Sequence, residues 1–216
     1  MTTIYAATGN AGKLKEFVAS AQGRDVAVLA LPGLKEMPEP VEDAPSYGGN
    51  AELKAVAYSL LAPGKLVMAD DSGLEVDALG GEPGVRSARF ADDAAFRPGE
   101  GTKDERNNAL LLEKLSGVPK GRGGALSKAR FVAALVIARD GKPLWRAEAT
   151  CEGEILNEYR GTGGFGYNPL FFMPETGKTM AEMSEEEKWA ISHRGRAFRQ
   201  LLTAMMRDEK VRKSAG

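Results

Sequence analysis

The spacing of apolar and polar residues changes period several times along the chain, and each change marks an element. Thr3 to Ala7 is a short, largely apolar run that predicts a strand. The turn Thr8-Gly9-Asn10 follows. Ala11 to Ala21 then predicts a helix with Leu14, Phe17 and Val18 on one face. Asp25 to Leu31 predicts a second strand. Residues 32–49 hold four prolines and several acids, which predicts a loop. Asn50 suits the N-cap of a helix that reaches about Leu61 and is stopped by Pro63-Gly64. Leu66 to Ala69 predicts a buried strand ended by the adjacent acids Asp70 and Asp71, then Ser72 and Gly73. Leu74 to Val76 is a further strand-like run before the turn-rich Gly80, Gly81, Pro83 and Gly84.

The second half begins with a polar stretch, Ala91 to Lys103, expected to be a surface loop. Lys103 to Leu115 predicts a helix through Ala109, Leu110, Leu112 and Leu115. Ala129 to Arg139 and Pro143 to Glu154 flank Asp140-Gly141, a strong hairpin signal. Residues 160–174 form a glycine-rich loop leading into Leu170-Phe171-Phe172. Ser184 with Glu187 three residues on is a capping-box pattern. A last helix is expected from Ser192 to Met206 with Ala197, Phe198, Leu201, Leu202 and Met205 buried, then a frayed, charged tail over 207–216. Helices alternating with strands, joined by an antiparallel pair, predict an α/β domain with a mixed sheet.

Composition narrows the function classes. The chain has 216 residues, 43% hydrophobic and 27% charged, which suits one domain. With 29 basic and 30 acidic residues the net charge is −1, so no basic excess points to nucleic acid as a partner. The longest clear apolar run, Phe131 to Ala138, falls far short of the ~20 residues needed to span a bilayer, so no membrane helix is expected. The start lacks a basic leader pattern, and the single cysteine, Cys151, forbids an intrachain disulfide. Both suit the cytoplasm. Cys151 itself reads as a packed strand residue.

Five places offer chemistry. Thr8, Gly9, Asn10, Ala11, Gly12 and Lys13 lie where a strand meets a helix, and free N–H groups there attract phosphate. An ordinary tight turn reads the same. Asp70 and Asp71 end a core strand, where acids either hold a hard cation, take a proton from water, or merely start a turn. Glu42 is either a second metal ligand or a solvated loop charge. Phe165, Gly166, Tyr167 and Asn168 present two rings and an amide from the glycine-rich loop, for stacking on a flat base or for the core. Lys188, His193 and Arg194 bring positive charge near the last helix, and no second His or Cys points to zinc.

At these residues the chain resembles the non-canonical purine nucleoside triphosphate pyrophosphatases, the Ham1-like family. The matching blocks are TGNAGK at 8–13, ADDSGLEVDALGGEPGVRSARF at 69–90, GTGGFGYNPLFF at 161–172, GKTMAEMSEEEK at 177–188 and SHRG at 192–195. They span essentially the whole chain, and their order is highly specific. The resemblance implies an elongated α/β fold with a long mixed sheet and flanking helices, one domain over 1–216 in two lobes around a central substrate cleft. It also implies a homodimer and Mg²⁺-dependent hydrolysis of ITP, dITP or XTP to the monophosphate and pyrophosphate. Thr8 to Lys13 would then bind the triphosphate. Asp71 would be the proton acceptor and, with Glu42, a metal ligand, Asp70 being the alternative base. Ser72 would contact substrate, and Phe165 to Asn168, Lys188, His193 and Arg194 would line the nucleotide pocket.

Three departures from the family pattern stand out. Asn168 takes the place of an Asp, Gly49 that of a Glu, and the 91–107 segment looks long.

Overall fold

The structure of the chain, a computed structural model, describes residues 1–97 and 99–214, with side chains through Asp208. In chain order the strands are β1 (Thr2–Ala6), β2 (Val26–Ala30), β3 (Leu66–Val76), β4 (Pro83–Gly84), β5 (Ala125–Arg139), β6 (Lys142–Leu156), β7 (Phe171–Met173) and β8 (Lys178–Thr179). The helices are α1 (Ala11–Ala21), α2 (Tyr47–Leu60), α3 (Phe90–Asp93), α4 (Lys103–Lys114), α5 (Glu185–Ile191) and α6 (His193–Ser214). The sheet runs β2-β1-β3-β5-β6-β7-β8, with β4 paired to β3. β1 is parallel to β2 and to β3, whereas β3/β4, β6/β7 and β7/β8 are antiparallel. The sheet is therefore mixed, as the element order predicts. No helix among the described residues is long and apolar enough to cross a membrane.

The chain divides into two compact units. The first comprises Met1–Asp71, Ala133–Ala149 and Ile191–Gly216. Its core joins Ile4, Val28, Val67 and Met68 of the sheet to Phe17 of α1 and Phe198, Leu201 and Leu202 of α6. The Phe17 and Phe198 rings lie 5.5 Å apart, and each such buried ring contributes about 2–3 kcal/mol. The second unit comprises Ser72–Val132 and Thr150–Ala190. It packs Leu74, Leu110, Leu111, Leu115, Ile155 and Phe171 together. Cys151 is fully buried there, its Sγ 3.7 Å from Met173 Sδ. It is a packed strand residue, as expected.

Several boundaries differ from expectation, each for a local reason. Leu66 to Val76 is one continuous strand, because Asp70 and Asp71 find partners inside the fold and need not start a turn. α2 begins at Tyr47, capped by Ser46, whose Oγ accepts the Gly49 N–H at 3.2 Å; such a cap contributes about 1 kcal/mol. Asn50 is thus inside the helix and its amide is spent elsewhere. On α1 the buried face is Glu16, Phe17, Ser20 and Ala21, while Val18 is 41% exposed. The helix is turned so that Glu16 meets Arg194.

The expected loop over 91–103 contains α3, and Thr102 caps α4 in a reciprocal box with Glu105; Pro98 lies outside the described residues. The Ser184 box forms as its spacing predicts, Ser184 Oγ accepting the Glu187 N–H at 3.1 Å and Glu187 Oε2 accepting the Ser184 N–H at 2.8 Å. The buried stripe of α6 is the expected one. The helix runs on to Ser214 where a frayed tail was expected, since the charged residues there favour helix; Ala215 and Gly216 lie outside the described residues.

Candidate active site

In the first unit, β1, α1, α2, β3 and α6 bring most of the sequence-predicted residues together. Thr8 and Asn10 shape the turn after β1. Thr8 Oγ1 accepts the Asn10 N–H at 3.2 Å, and Asn10 Oδ1 accepts the N–H groups of Gly12 and Lys13 at 2.9 and 3.1 Å. Asn10 is therefore the cap of α1. Three of the donors expected to face phosphate, the N–H groups of Asn10, Gly12 and Lys13, are thus spent within the turn, which among the described residues leaves the Gly9 and Ala11 N–H groups and the Lys13 side chain for an anion.

Lys13 Nζ donates to Asp70 Oδ2 at 2.8 Å. Arg194 stands by the same oxygen, Nε to Oδ2 3.7 Å, and also donates to Glu16 Oε2 at 3.2 Å. Asp70 is 5% exposed. Burial works against its charge, but Lys13, Arg194 and Lys54 outweigh it and hold the carboxyl at about 2, against an ordinary 3.8. Burial pushes the Lys13 ammonium down, with Asp70 pulling the other way. His193 is buried, and burial together with Arg194 and Lys13 holds its imidazole well below its ordinary value. It is a neutral ring at physiological pH.

Asp71 is in a different state. Asn50 Nδ2 donates to Asp71 Oδ2 at 3.1 Å, and Lys54 Nζ stands 3.6 Å from Oδ1. Asn50 is itself held by the Ala44 N–H, which it accepts at 2.9 Å. Lys54 Nζ also donates to Glu42 Oε2 at 3.1 Å. Burial raises the Asp71 carboxyl above its ordinary value, Lys54 and Asn50 pull it down, and Glu42 and Asp70 push it up again. The net direction is upward, opposite to Asp70 next door. Burial works against the Lys54 charge, yet Asp70, Asp71 and Glu42 raise its ammonium above the ordinary value.

Two carboxylates from separate segments, Glu42 and Asp71, thus converge on one cationic group. Among the described residues no group of three or more His, Cys, Asp or Glu gathers to ligate a metal. An all-oxygen pair fits Mg²⁺, which takes one or two protein carboxylates and fills its remaining positions with water and phosphate oxygen.

The second unit carries the other predicted residues. Tyr167 is buried, and its hydroxyl donates to the Ser87 carbonyl at 2.9 Å. Burial drives that phenol upward. Tyr167 is thus an anchor of the loop, and Phe165, two residues before it, is half-buried. Gly166 has φ +62° and is held at both polar groups. Its N–H donates to Asp104 Oδ2 at 2.7 Å and its carbonyl accepts from Asn108 Nδ2 at 2.9 Å. A cavity of about 600 Å³ opens beside this loop, lined by Asp104, Asn108, Tyr159, Phe165 and the glycines at 161–166.

Lys188 is 4% exposed, and its Nζ donates to Glu185 Oε1 at 2.9 Å. With a neutral amide at 168, its anionic partner is Glu185, one turn back on α5. A side chain at Gly164 would collide with the Asn168 amide and stand 3.3 Å from Lys188 Nζ. The other departure has a steric account, since a Cβ at Gly49 would lie 2.7 Å from Ala44 Cβ. Ser72 follows Asp71 within β3 as the first residue of this unit.

Sequence reasoning missed Glu16, Lys54, Asp104 and Asn108, and misassigned Asn50. Asn50 and Lys54 are four apart on α2, so they share a face. Two polar residues beside the small buried Ala51 and Ala55 were the available signal.

Comparison with known proteins adds an independent line. The Ham1 family profile matches residues 4–204. The chain is 50% identical over 204 residues to the dITP/XTP pyrophosphatase of Acidobacterium capsulatum, spanning 94% of this chain and 98% of that protein. It is 48% identical over 203 residues to the dITP/XTP pyrophosphatase of Geobacillus kaustophilus, spanning 93% of each. Among solved structures, the Staphylococcus aureus Ham1 protein superposes with a TM-score of 0.74 at 37% identity, over 96% of this chain and 100% of that one. The nucleoside-triphosphatase, or dITP/XTP pyrophosphatase, of Mycobacterium abscessus superposes with a TM-score of 0.63 at 36% identity, over 93% and 99%.

Proposed function

The chain belongs to the Ham1 family, and from that premise we propose that it hydrolyses dITP, ITP and XTP to the nucleoside monophosphate and pyrophosphate. The observation that carries this reading is the contrast between neighbouring acids. Asp70 is a fixed anion gripped by Lys13 and Arg194, whereas Asp71 has a raised carboxyl and faces Glu42 around one cation. A group that takes a proton from water works better the nearer its pKa lies to neutrality. Asp70, locked between Lys13 and Arg194, is excluded as the acceptor, and the proton is assigned to Asp71.

In this mechanism Lys13 and the free N–H groups of Gly9 and Ala11 bind phosphate oxygens. Glu42 and Asp71 would hold Mg²⁺, which when bound supplies charge neutralisation at the phosphates. Water attacks the α-phosphorus, its proton passes to Asp71, the bond to the bridging oxygen breaks, and pyrophosphate departs. Asn50 and Lys54 orient the Asp71 carboxylate throughout. Ser72, next in β3, would contact the bound nucleotide. Phe165 would stack on the base with Lys188 and the Asn168 amide of the same unit, and His193 and Arg194 are proposed as nucleotide contacts contributed by the first unit. Donors that meet a 6-oxo group are left unpaired by adenine, which costs about 1–3 kcal/mol for each buried group.

Pyrophosphate release from dITP, ITP, XTP, dATP and dGTP, with Mg²⁺ and with excess EDTA, tests the reading. The 6-oxo, non-guanine substrates should be turned over at least about a hundredfold faster per unit KM than dATP, as two unmatched polar contacts imply, and EDTA should remove the activity. Equal rates on all five would overturn the substrate assignment. By membership of the family the chain is also proposed to act as a cytoplasmic homodimer, a setting in which its single buried cysteine stays reduced. Light scattering should then return twice the 23.0 kDa chain mass. A monomer at micromolar concentration would refute the dimer.

A further inference from the structure

α4 lies in the stretch to which the sequence assigns no role, yet two of its side chains meet the glycine-rich loop. Asp104 and Asn108 are four residues apart and so share a helix face. Asp104 accepts the Gly166 N–H at 2.7 Å, and Asn108 donates to the Gly166 carbonyl at 2.9 Å. Both polar groups of one peptide residue are therefore satisfied by a single helix. Gly166 sits at φ +62° with nothing within 4 Å of its missing Cβ, so its conformation is not forced by crowding. The two hydrogen bonds from α4 hold it, together with the turn bond that the Asn168 N–H donates to the Phe165 carbonyl at 3.4 Å.

Asn108 carries a second clue. It is 3% exposed, and among the described residues its Oδ1 has no hydrogen-bond partner. A buried amide with one end unmatched is a poor choice for packing alone, since an apolar side chain of similar size leaves no polar atom unmet. Its neighbour Asn107 is used at both ends, accepting the Ala91 N–H at 2.9 Å and donating to the Ala88 carbonyl at 3.5 Å. The bond to Gly166 is what Asn108 retains in exchange for the unmatched oxygen.

We propose that Asp104 and Asn108 are positioning residues for nucleotide recognition: they hold Gly166 so that Phe165 and Asn168, on either side of it, meet the base in a fixed orientation. This rests on the pyrophosphatase reading above. Neither side chain takes part in the chemistry, so their loss is felt in binding and in base choice and not in the rate of the bound complex.

The test compares Asn108→Leu, Asp104→Ala and Asp104→Asn with the parent protein, measuring KM and kcat for dITP and XTP by pyrophosphate release and unfolding by heat. Asn108→Leu should raise KM about tenfold, the factor that one ordinary hydrogen bond is worth. Its kcat should stay within about twofold and its thermal midpoint should change little, because the unmatched oxygen is lost together with the bond to the Gly166 carbonyl. Asp104→Ala should raise KM similarly, and Asp104→Asn, which keeps an acceptor for the Gly166 N–H, should restore most of it. A purely structural role predicts the reverse pattern, with a lowered midpoint and an unchanged KM, and that result overturns the proposal. Should Asn108→Leu fail to fold, the Asp104 pair decides: equal KM values in Ala and Asn variants also overturn it. A parent protein inactive on every triphosphate removes the functional reading and this proposal with it, whereas an active parent with unaffected variants removes only the proposal.

Discussion

Asp71→Asn is expected to lose about a thousandfold or more in kcat while unfolding no earlier than the parent protein. The amide keeps an oxygen that accepts from Asn50 Nδ2, the bond that Asp71 makes at 3.1 Å, so the local geometry survives. It cannot take a proton, and it binds a hard cation weakly. The stability half follows from linkage. Burial raises the folded carboxyl above its ordinary value in spite of Lys54 and Asn50. A carboxyl raised in the folded state binds protons more tightly folded than unfolded. Stability therefore declines as pH climbs from the ordinary carboxylate value through the raised one. At neutral pH the ionised side chain is a net cost to the fold, and the amide relieves it. Pyrophosphate release and thermal unfolding at pH 7 read the two halves together. A rate within tenfold of the parent would sink the assignment of Asp71, and a clear loss of stability would contradict the electrostatic account.

Much of this was legible in the residue pattern, and the exceptions share a cause. The Asp140-Gly141 hairpin, the Ser184–Glu187 capping box and the apolar stripe of α6 are local, each decided by residues within one turn or one hairpin. The continuous β3 was not legible. Two adjacent acids read as the end of a strand unless distant cations, Lys13 and Arg194 for Asp70 and Lys54 for Asp71, are known to meet them. The face of α1 was misjudged for the same reason, because the buried Glu16 finds its cation in Arg194, 178 positions away. At α2, Gly48 and Gly49 looked like loop residues, and the Ser46 cap overrode their low helix propensity. Of the candidate site, Lys13, Glu42, Asp71 and Arg194 could be named from the sequence. The difference between Asp70 and Asp71 could not, since it is made by which cations stand beside each.

Asp70→Ala should go the opposite way from Asp71→Asn, lowering stability by about 3–5 kcal/mol. That is the usual cost of removing one partner from a buried ion pair and leaving the other uncompensated. Here the group left uncompensated is Lys13, whose Nζ loses its 2.8 Å partner, while Arg194 loses Asp70 and keeps its contact with Glu16. The pH dependence gives a sharper signature than the size of the loss. Asp70 is held at about 2 in the fold against an ordinary 3.8. A depressed carboxyl contributes stability that is present above the ordinary value and disappears as pH falls through the folded one. The contribution is about 2 kcal/mol, since each tenfold change in proton affinity is worth about 1.4 kcal/mol. Denaturant unfolding of the parent protein should therefore show a falling limb between about pH 4 and pH 2, and Asp70→Asn should flatten it. Asp70→Asn preserves shape and hydrogen-bond acceptance, so a flattened limb isolates the charge. An unchanged limb would mean that Lys13 and Arg194 do not grip Asp70 in solution. The contrast between the two acids, on which the choice of Asp71 as proton acceptor depends, would then fail as well.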